Sequence, residues 1–152
     1  MKWNIKWFIW LAIIANMADL ITAYFILDGE SNPLFIWLGS YWFLAVFKIA
    51  FCGLLLYWGN KERTEHNHYY FTMALVWCIF LFSFGAWSNI QGIMNPTMIE
   101  AAAQIPNAVK INYYFNIISI LAILPMILNI VTFEIFYRTR KVRHQIEVKI
   151  NG

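Results

Sequence analysis

Four long apolar runs, separated by short polar segments, constrain this chain more than any other feature of its sequence. They cover residues 7–27, 35–58, 69–94 and 111–137, and a helix needs about 20 apolar residues to cross the hydrocarbon core of a bilayer. The chain is 61% hydrophobic and 12% charged, whereas soluble domains are about 45–50% apolar. The sequence therefore predicts an all-α integral membrane protein, an antiparallel four-helix transmembrane bundle in a single domain of residues 1–137.

The basic residues predict the direction of the four spans. Those outside the apolar runs divide nine to one, with Lys110 alone on the second side. The nine on the first side are Lys2, Lys6, Lys61, Arg63, Arg138, Arg140, Lys141, Arg143 and Lys149. Because basic residues accumulate in cytoplasmic segments, both termini and the basic tail of residues 138–152 are expected in the cytoplasm. The expected location is the cell membrane, with multiple spans.

Two outer connections carry helix signals. Asn32 is expected to cap the second span, with Pro33 at the first helical position, where the missing N–H costs nothing. Thr97 and Glu100 have the spacing of a capping box. This spacing predicts a short extra helix through residues 101–103 in the second outer loop.

Two ionisable residues fall inside adjacent spans, where each would cost roughly 2.5–3.5 kcal/mol at mid-helix if it were alone. At 1.5 Å per residue, Asp19 lies about 12 Å and Lys48 about 16 Å below the outer border. The spans are antiparallel neighbours, and a lysine side chain can cross the difference. We therefore expect Asp19 and Lys48 to form an ion pair that faces the interior of the bundle.

Other polar residues share helix faces with this pair. In the first span, a small, polar stripe at helical spacing consists of Ala12, Ala15, Asn16, Asp19, Thr22 and Ala23. The remaining surface, which suits lipid, consists of Ile13, Ile14, Met17, Leu20 and Ile21. The expected intramembrane polar cluster contains Asn16, Asp19, Thr22, Lys48, Asn89 and Asn116, with Glu30 and Asn32 at an outer mouth. Two interpretations remain open: the cluster fixes helix register, or it lines a site that opens to the outer face.

The last two spans add further expectations. Gly85, Ser88, Asn89 and Gly92 share one face of the third span. In the fourth span we expect a kink at Pro125. Near its inner end, Glu134 and Arg138 have the spacing of a helical salt bridge.

The sequence contains a motif that resembles the D-x-x-T … E-x-N-P signature of a family of small four-helix membrane proteins with no characterised activity. The motif consists of Asp19-Leu20-Ile21-Thr22 followed by Glu30-Ser31-Asn32-Pro33. The family also tends to have a lysine inside its second span and an asparagine late in its third, which Lys48 and Asn89 match. The resemblance covers the first three spans. It implies a four-helix membrane fold with a shared polar cluster and no particular activity.

Three functions are considered. The first is a non-enzymatic accessory or assembly subunit of a larger membrane complex. The second is a small transporter or channel component that uses the Asp19–Lys48 pair, and the third is an intramembrane enzyme that uses Asp19 and Glu30. Familiar catalytic motifs are missing, so no catalytic residue, metal or cofactor is expected. The expected partners are the lipid bilayer and other membrane subunits or further copies of the chain, and nucleic acid is not expected.

Overall fold

The computed structural model describes residues 4–30 and 32–151, except for the side chains of Asp28, Gly29, Glu65, His144 and residues 146–151. Within these residues the secondary structure is helical, and no strand is found. Lys2 was used to predict the topology, and Ser31 belongs to the E-x-N-P motif. Both residues lie outside the described part of the chain. The chain divides into two compact units at the boundary between Asn116 and Ile117. We call them unit 1 and unit 2.

The first apolar run forms helix α1, Ile5–Ala23, and continues as a 3₁₀-helix, Tyr24–Gly29. Asn4 caps α1, since its side chain accepts a hydrogen bond from the backbone N–H of Lys6 at 3.2 Å. Together, Ile5–Leu27 are long and apolar enough to cross a membrane.

The second apolar run is divided between two helices. Helix α2, Pro33–Leu38, has the predicted cap, because the Asn32 side chain accepts from the backbone N–H of Leu34 at 3.0 Å. The second apolar run, predicted as one span from residue 35 to 58, is not one continuous helix, since α2 ends at Leu38 with Gly39 as its C-cap and helix α3 covers Tyr41–Gly59. Gly39 has φ +64°, a left-handed conformation that ends helices and that residues with a Cβ avoid.

Helix α4, Glu65–Met94, contains the third apolar run, and Thr64 caps it by accepting from the backbone N–H of Asn67 at 3.3 Å. The predicted short helix follows as α5, Pro96–Ala103. Its expected capping box is wrong, because Asn95 takes the N-cap position with Pro96 at the start of the helix. Proline suits the first helical turn, where its missing N–H leaves no bond unmade.

Unit 1 is held together by contacts of α1 with α3 and α4. Ile9, Ala12, Leu55 and Leu75 form a buried cluster that we call the apolar layer. Nearer the other end of α1, Leu20 packs against Leu44 and Ala45 of α3. The paired positions show that α1 and α3 are antiparallel. The expectation that Leu20 faces lipid is therefore wrong, since only 4% of it is exposed.

The fourth apolar run begins with helix α6, Asn107–Ile118, whose first ten residues belong to unit 1. In unit 2, a π-helical segment, Ser119–Ile123, leads into helix α7, Leu124–Asn151. The π-helical segment lies directly before Pro125, where the sequence predicted a kink. The predicted Glu134–Arg138 pair is confirmed, with 3.3 Å between Glu134 Oε2 and Arg138 Nε.

Among the described residues, four helical stretches are long and apolar enough to cross a membrane: Ile5–Leu27, Tyr41–Gly59, His66–Met94 and Asn107–Arg143. Apart from Asp19 and Lys48, their charged residues lie near the helix ends. The number of such helices agrees with the prediction of four apolar segments. Helix α7 continues through the basic tail to Asn151.

Candidate functional site: a polar cluster between three helices

The predicted ion pair between Asp19 and Lys48 is confirmed. The Lys48 Nζ of α3 donates to Asp19 Oδ2 of α1, and the two side chains are 7% and 15% exposed, respectively. The ring of Phe82 from α4 adds a second contact, with its centroid 5.1 Å from Lys48 Nζ. An ammonium group held between a carboxylate and an aromatic face is stabilised from both directions.

Helix α4 contributes Asn89, one of the three asparagines that the sequence assigned to the cluster. Its Nδ2 donates to the Oδ1 of Asp19 at 3.1 Å, to the Asp19 backbone oxygen at 3.3 Å and to Thr22 Oγ1 at 3.1 Å. Thr22 in turn donates its hydroxyl proton to the backbone oxygen of Ala18 at 2.9 Å. Asn89 therefore connects α4 to two successive turns of α1.

Gly85 lies one helical turn before Asn89 and leaves the space that the Asp19 carboxylate occupies. A Cβ atom at position 85 would lie 2.6 Å from Asp19 Oδ1 and 2.9 Å from its Cγ. The sequence marked Gly85 as part of a small face, but the close approach to Asp19 appears only in the structure. Ser88, assigned to the same face, is exposed instead.

Asn16 joins α1 to α3 one turn from Asp19. It is 0% exposed, and its Nδ2 donates to the backbone oxygen of Lys48 at 3.0 Å and to Cys52 Sγ at 3.2 Å. Its Oδ1 is buried, with no partner in the described part of the chain. Asn16 therefore binds the helix that carries the lysine, whereas Asn89 binds the helix that carries the aspartate.

We call Asn16, Asp19, Thr22, Lys48, Gly85 and Asn89 the Asp19 cluster. Along α1 it lies directly after the apolar layer, so the packing between the helices changes from hydrocarbon side chains to polar side chains within about two turns.

Glu30 and Asn32, predicted at the mouth of a site, form a cap at the start of α2. A Glu30 side-chain oxygen accepts from the backbone N–H of Asn32 at 2.7 Å, and Asn32 caps α2 as described above. Glu30 is 9% exposed. The two residues therefore build the turn that connects the 3₁₀-helix with α2.

Asn116 does not join the cluster, because its side chain is exposed. Two other residues of α6, which the sequence did not assign to the site, are less exposed than Asn116: Lys110 is only 7% exposed, and Tyr114, one turn later, is half-buried. The i, i+4 spacing of Lys110 and Tyr114 was the available signal, but lysines and tyrosines are common at membrane borders.

Comparisons of the chain with known protein families, curated proteins and solved structures find no match. Among the residues that the structure describes, no three His, Cys, Asp or Glu side chains are grouped as a metal-binding set.

Proposed function

We propose that the protein is an integral membrane protein with four spans and both termini in the cytoplasm. The support is the presence of four apolar helices of sufficient length and the nine-to-one division of the basic residues. Large aromatic and aliphatic side chains also cover the exterior of α1 and α3, including Trp7, Ile14, Trp42 and Phe47, all more than half exposed. Lipid is the medium in which such a surface is stable.

The topology can be tested by labelling introduced cysteines in intact cells. In a background of Cys52→Ser and Cys78→Ser, a membrane-impermeant maleimide is expected to react with Asn107→Cys. It should react with Lys61→Cys only after the membrane has been permeabilised. Both positions are exposed, so their intrinsic reactivity is matched. Equal labelling of both variants in intact cells would contradict the proposed orientation.

Within that membrane, we propose that the protein is a non-enzymatic accessory or assembly subunit of a larger complex. The observation that carries this proposal is the direction of the polar contacts in unit 1. Asp19, Lys48, Asn89 and Thr22 hydrogen-bond one another across three helices, which fixes the helices in one register. The exterior is left apolar and aromatic, and available to lipid and to other membrane segments.

The accessory role can be tested by purification in mild detergent together with deletion. We expect the tagged chain to migrate on native gels in stoichiometric association with other membrane subunits. Loss of the chain should lower the amount of that assembled complex while its unassembled subunits persist. A chain that migrates alone in several mild detergents, with no complex depleted by its deletion, would contradict the proposal.

A second candidate function is that of a small transporter or channel component. The observation in its favour is the ion pair of Asp19 and Lys48, which lies largely buried between the helices, because ionisable residues inside a membrane often mark an ion pathway. In proteoliposomes, this role requires an ion flux that disappears in Asp19→Asn. If the unchanged chain produces no ion flux, the transporter or channel role is contradicted.

A further inference from the structure

Helix α6 has a covered side and an exposed side. Lys110 is 7% exposed and Ile111 and Tyr114 are half-buried, so the rest of the chain covers the side that these three residues share. Asn112 and Asn116 are exposed and lie on the other side of the helix, one turn apart. The structure therefore turns both amides away from the rest of the chain.

These two amides have no hydrogen-bond partner in the described part of the chain. Asn129, a third exposed asparagine of the fourth span, differs from them. Its Nδ2 donates to the backbone oxygen of Pro125, one turn earlier in its own helix, at 3.1 Å. The donors and acceptors of Asn112 and Asn116 thus remain available to a group outside this chain.

In the proposed topology, the two amides lie in the outer part of the fourth span. The apolar run begins directly after Lys110, and Asn116 lies about 9 Å further along the helix than Lys110. Lipid chains offer no hydrogen-bond partner, so an amide that faces them is less stable than an amide that faces a polar group on a neighbouring helix. Asn112 and Asn116 therefore favour association of α6 with another polar helix.

A second copy of the chain supplies a matching helix. Copies with the same topology have parallel fourth spans, and a two-fold axis along the membrane normal brings each residue to the same depth as its counterpart. An amide carries both N–H donors and an acceptor oxygen, so it can pair with an identical amide. The only charged residue of α6, Lys110, is on the covered side. The exposed side therefore carries no charge that would repel its copy.

We propose that Asn112 and Asn116 form the centre of an interface between two copies of this chain. Each amide hydrogen-bonds with its counterpart across the two-fold axis. Val109 and Phe115, which are 54% and 46% exposed, flank the amides and form the apolar rim of the interface. The interface rests on the proposed membrane topology, but not on the accessory role.

The interface can be tested by energy transfer between donor-labelled and acceptor-labelled copies of the full chain in phosphatidylcholine liposomes. The labels are attached at Lys61→Cys, in the background of Cys52→Ser and Cys78→Ser. We expect Asn116→Leu to need about tenfold more protein per lipid for half-maximal association, which corresponds to about 1.4 kcal/mol. Asn112→Leu should weaken association in the same direction.

Asn129→Leu is the matched control, because it removes an exposed amide that already bonds its own helix. It should associate like the unchanged chain. Since Asn116 is exposed in the single chain, Asn116→Leu should unfold in mild detergent at the same temperature as the unchanged chain.

Three results would overturn the assignment. The first is the absence of energy transfer at every protein density, and the second is equal association of Asn116→Leu and the unchanged chain. The third comes from oxidative crosslinking of Asn116→Cys in native membranes, in the background without Cys52 and Cys78. It should yield a dimer of this chain, whereas a product with a different protein would assign the face to another subunit. Failure of the topology would appear separately in the maleimide labelling, and failure of the accessory role would leave association of the purified chain unchanged.

Discussion

Lys48→Met is expected to destabilise unit 1 by about 3–5 kcal/mol, the usual cost of removing one partner from a buried ion pair. The substitution preserves the length and apolar stem of the side chain. It leaves the Asp19 carboxylate between α1, α3 and α4 with hydrogen bonds from Asn89 but without its cation. Unfolding in mild detergent, induced by heat or by added dodecyl sulfate, measures the loss.

A matched control and a double variant separate the ion pair from general effects. Lys6→Met removes the same charge from an exposed position of α1 and should change the free energy of unfolding by less than about 0.5 kcal/mol. Asp19→Asn combined with Lys48→Met should cost less than the sum of the two single substitutions, because the second change removes the charge that the first leaves unpaired. Strict additivity would show that the two side chains do not interact.

Gly85→Ala is expected to destabilise the protein, although alanine is the better helix former by about 1 kcal/mol. The new Cβ would lie 2.6 Å from Asp19 Oδ1. The carboxylate cannot simply withdraw, because Lys48 and Asn89 hold it from two helices. Overpacking of this kind costs about 1–3 kcal/mol, and the same unfolding assay in detergent measures it.

Gly53→Ala is the matched control for this prediction. Gly53 also lies inside a long helix, α3, but nothing lies within 4 Å of a Cβ built there. Its replacement should therefore be neutral or stabilising. In the background of Asp19→Ala, which removes the carboxylate, Gly85→Ala should lose most of its cost. A Gly85→Ala variant as stable as Gly53→Ala would place the carboxylate elsewhere.

The ion pair could be predicted from the sequence because two requirements coincide in it. Asp19 and Lys48 are both costly inside an apolar helix, and the antiparallel order of their spans brings them to similar depths. Asn89 and Thr22 could be assigned to the same cluster from helical spacing, since amide and hydroxyl groups in an apolar segment also seek partners. At these positions, the need for a hydrogen-bonding or ion-pair partner turns the side chain toward the neighbouring helices.

The apolar residues provided no comparable signal. Leu20 packs against α3, although its neighbour Ile21 is exposed and similar in character. Lipid and a helix interface are both apolar, so hydrophobicity does not distinguish a residue that faces one from a residue that faces the other. Asn116 is a polar residue that the sequence assigned to the cluster and that is exposed all the same, so polarity did not decide the direction of its side chain.

The sequence by itself determined the four apolar helices, the cap at Asn32 and the pairing of Asp19 with Lys48, because each follows from local chain chemistry or from the cost of an isolated charge. Only the tertiary structure decided that Gly85 makes room for the carboxylate, that Gly39 divides the second apolar run and that most of Lys110 is buried. These features depend on how closely particular helix faces approach each other. That distance is set by the packing of many side chains together, which no local pattern contains.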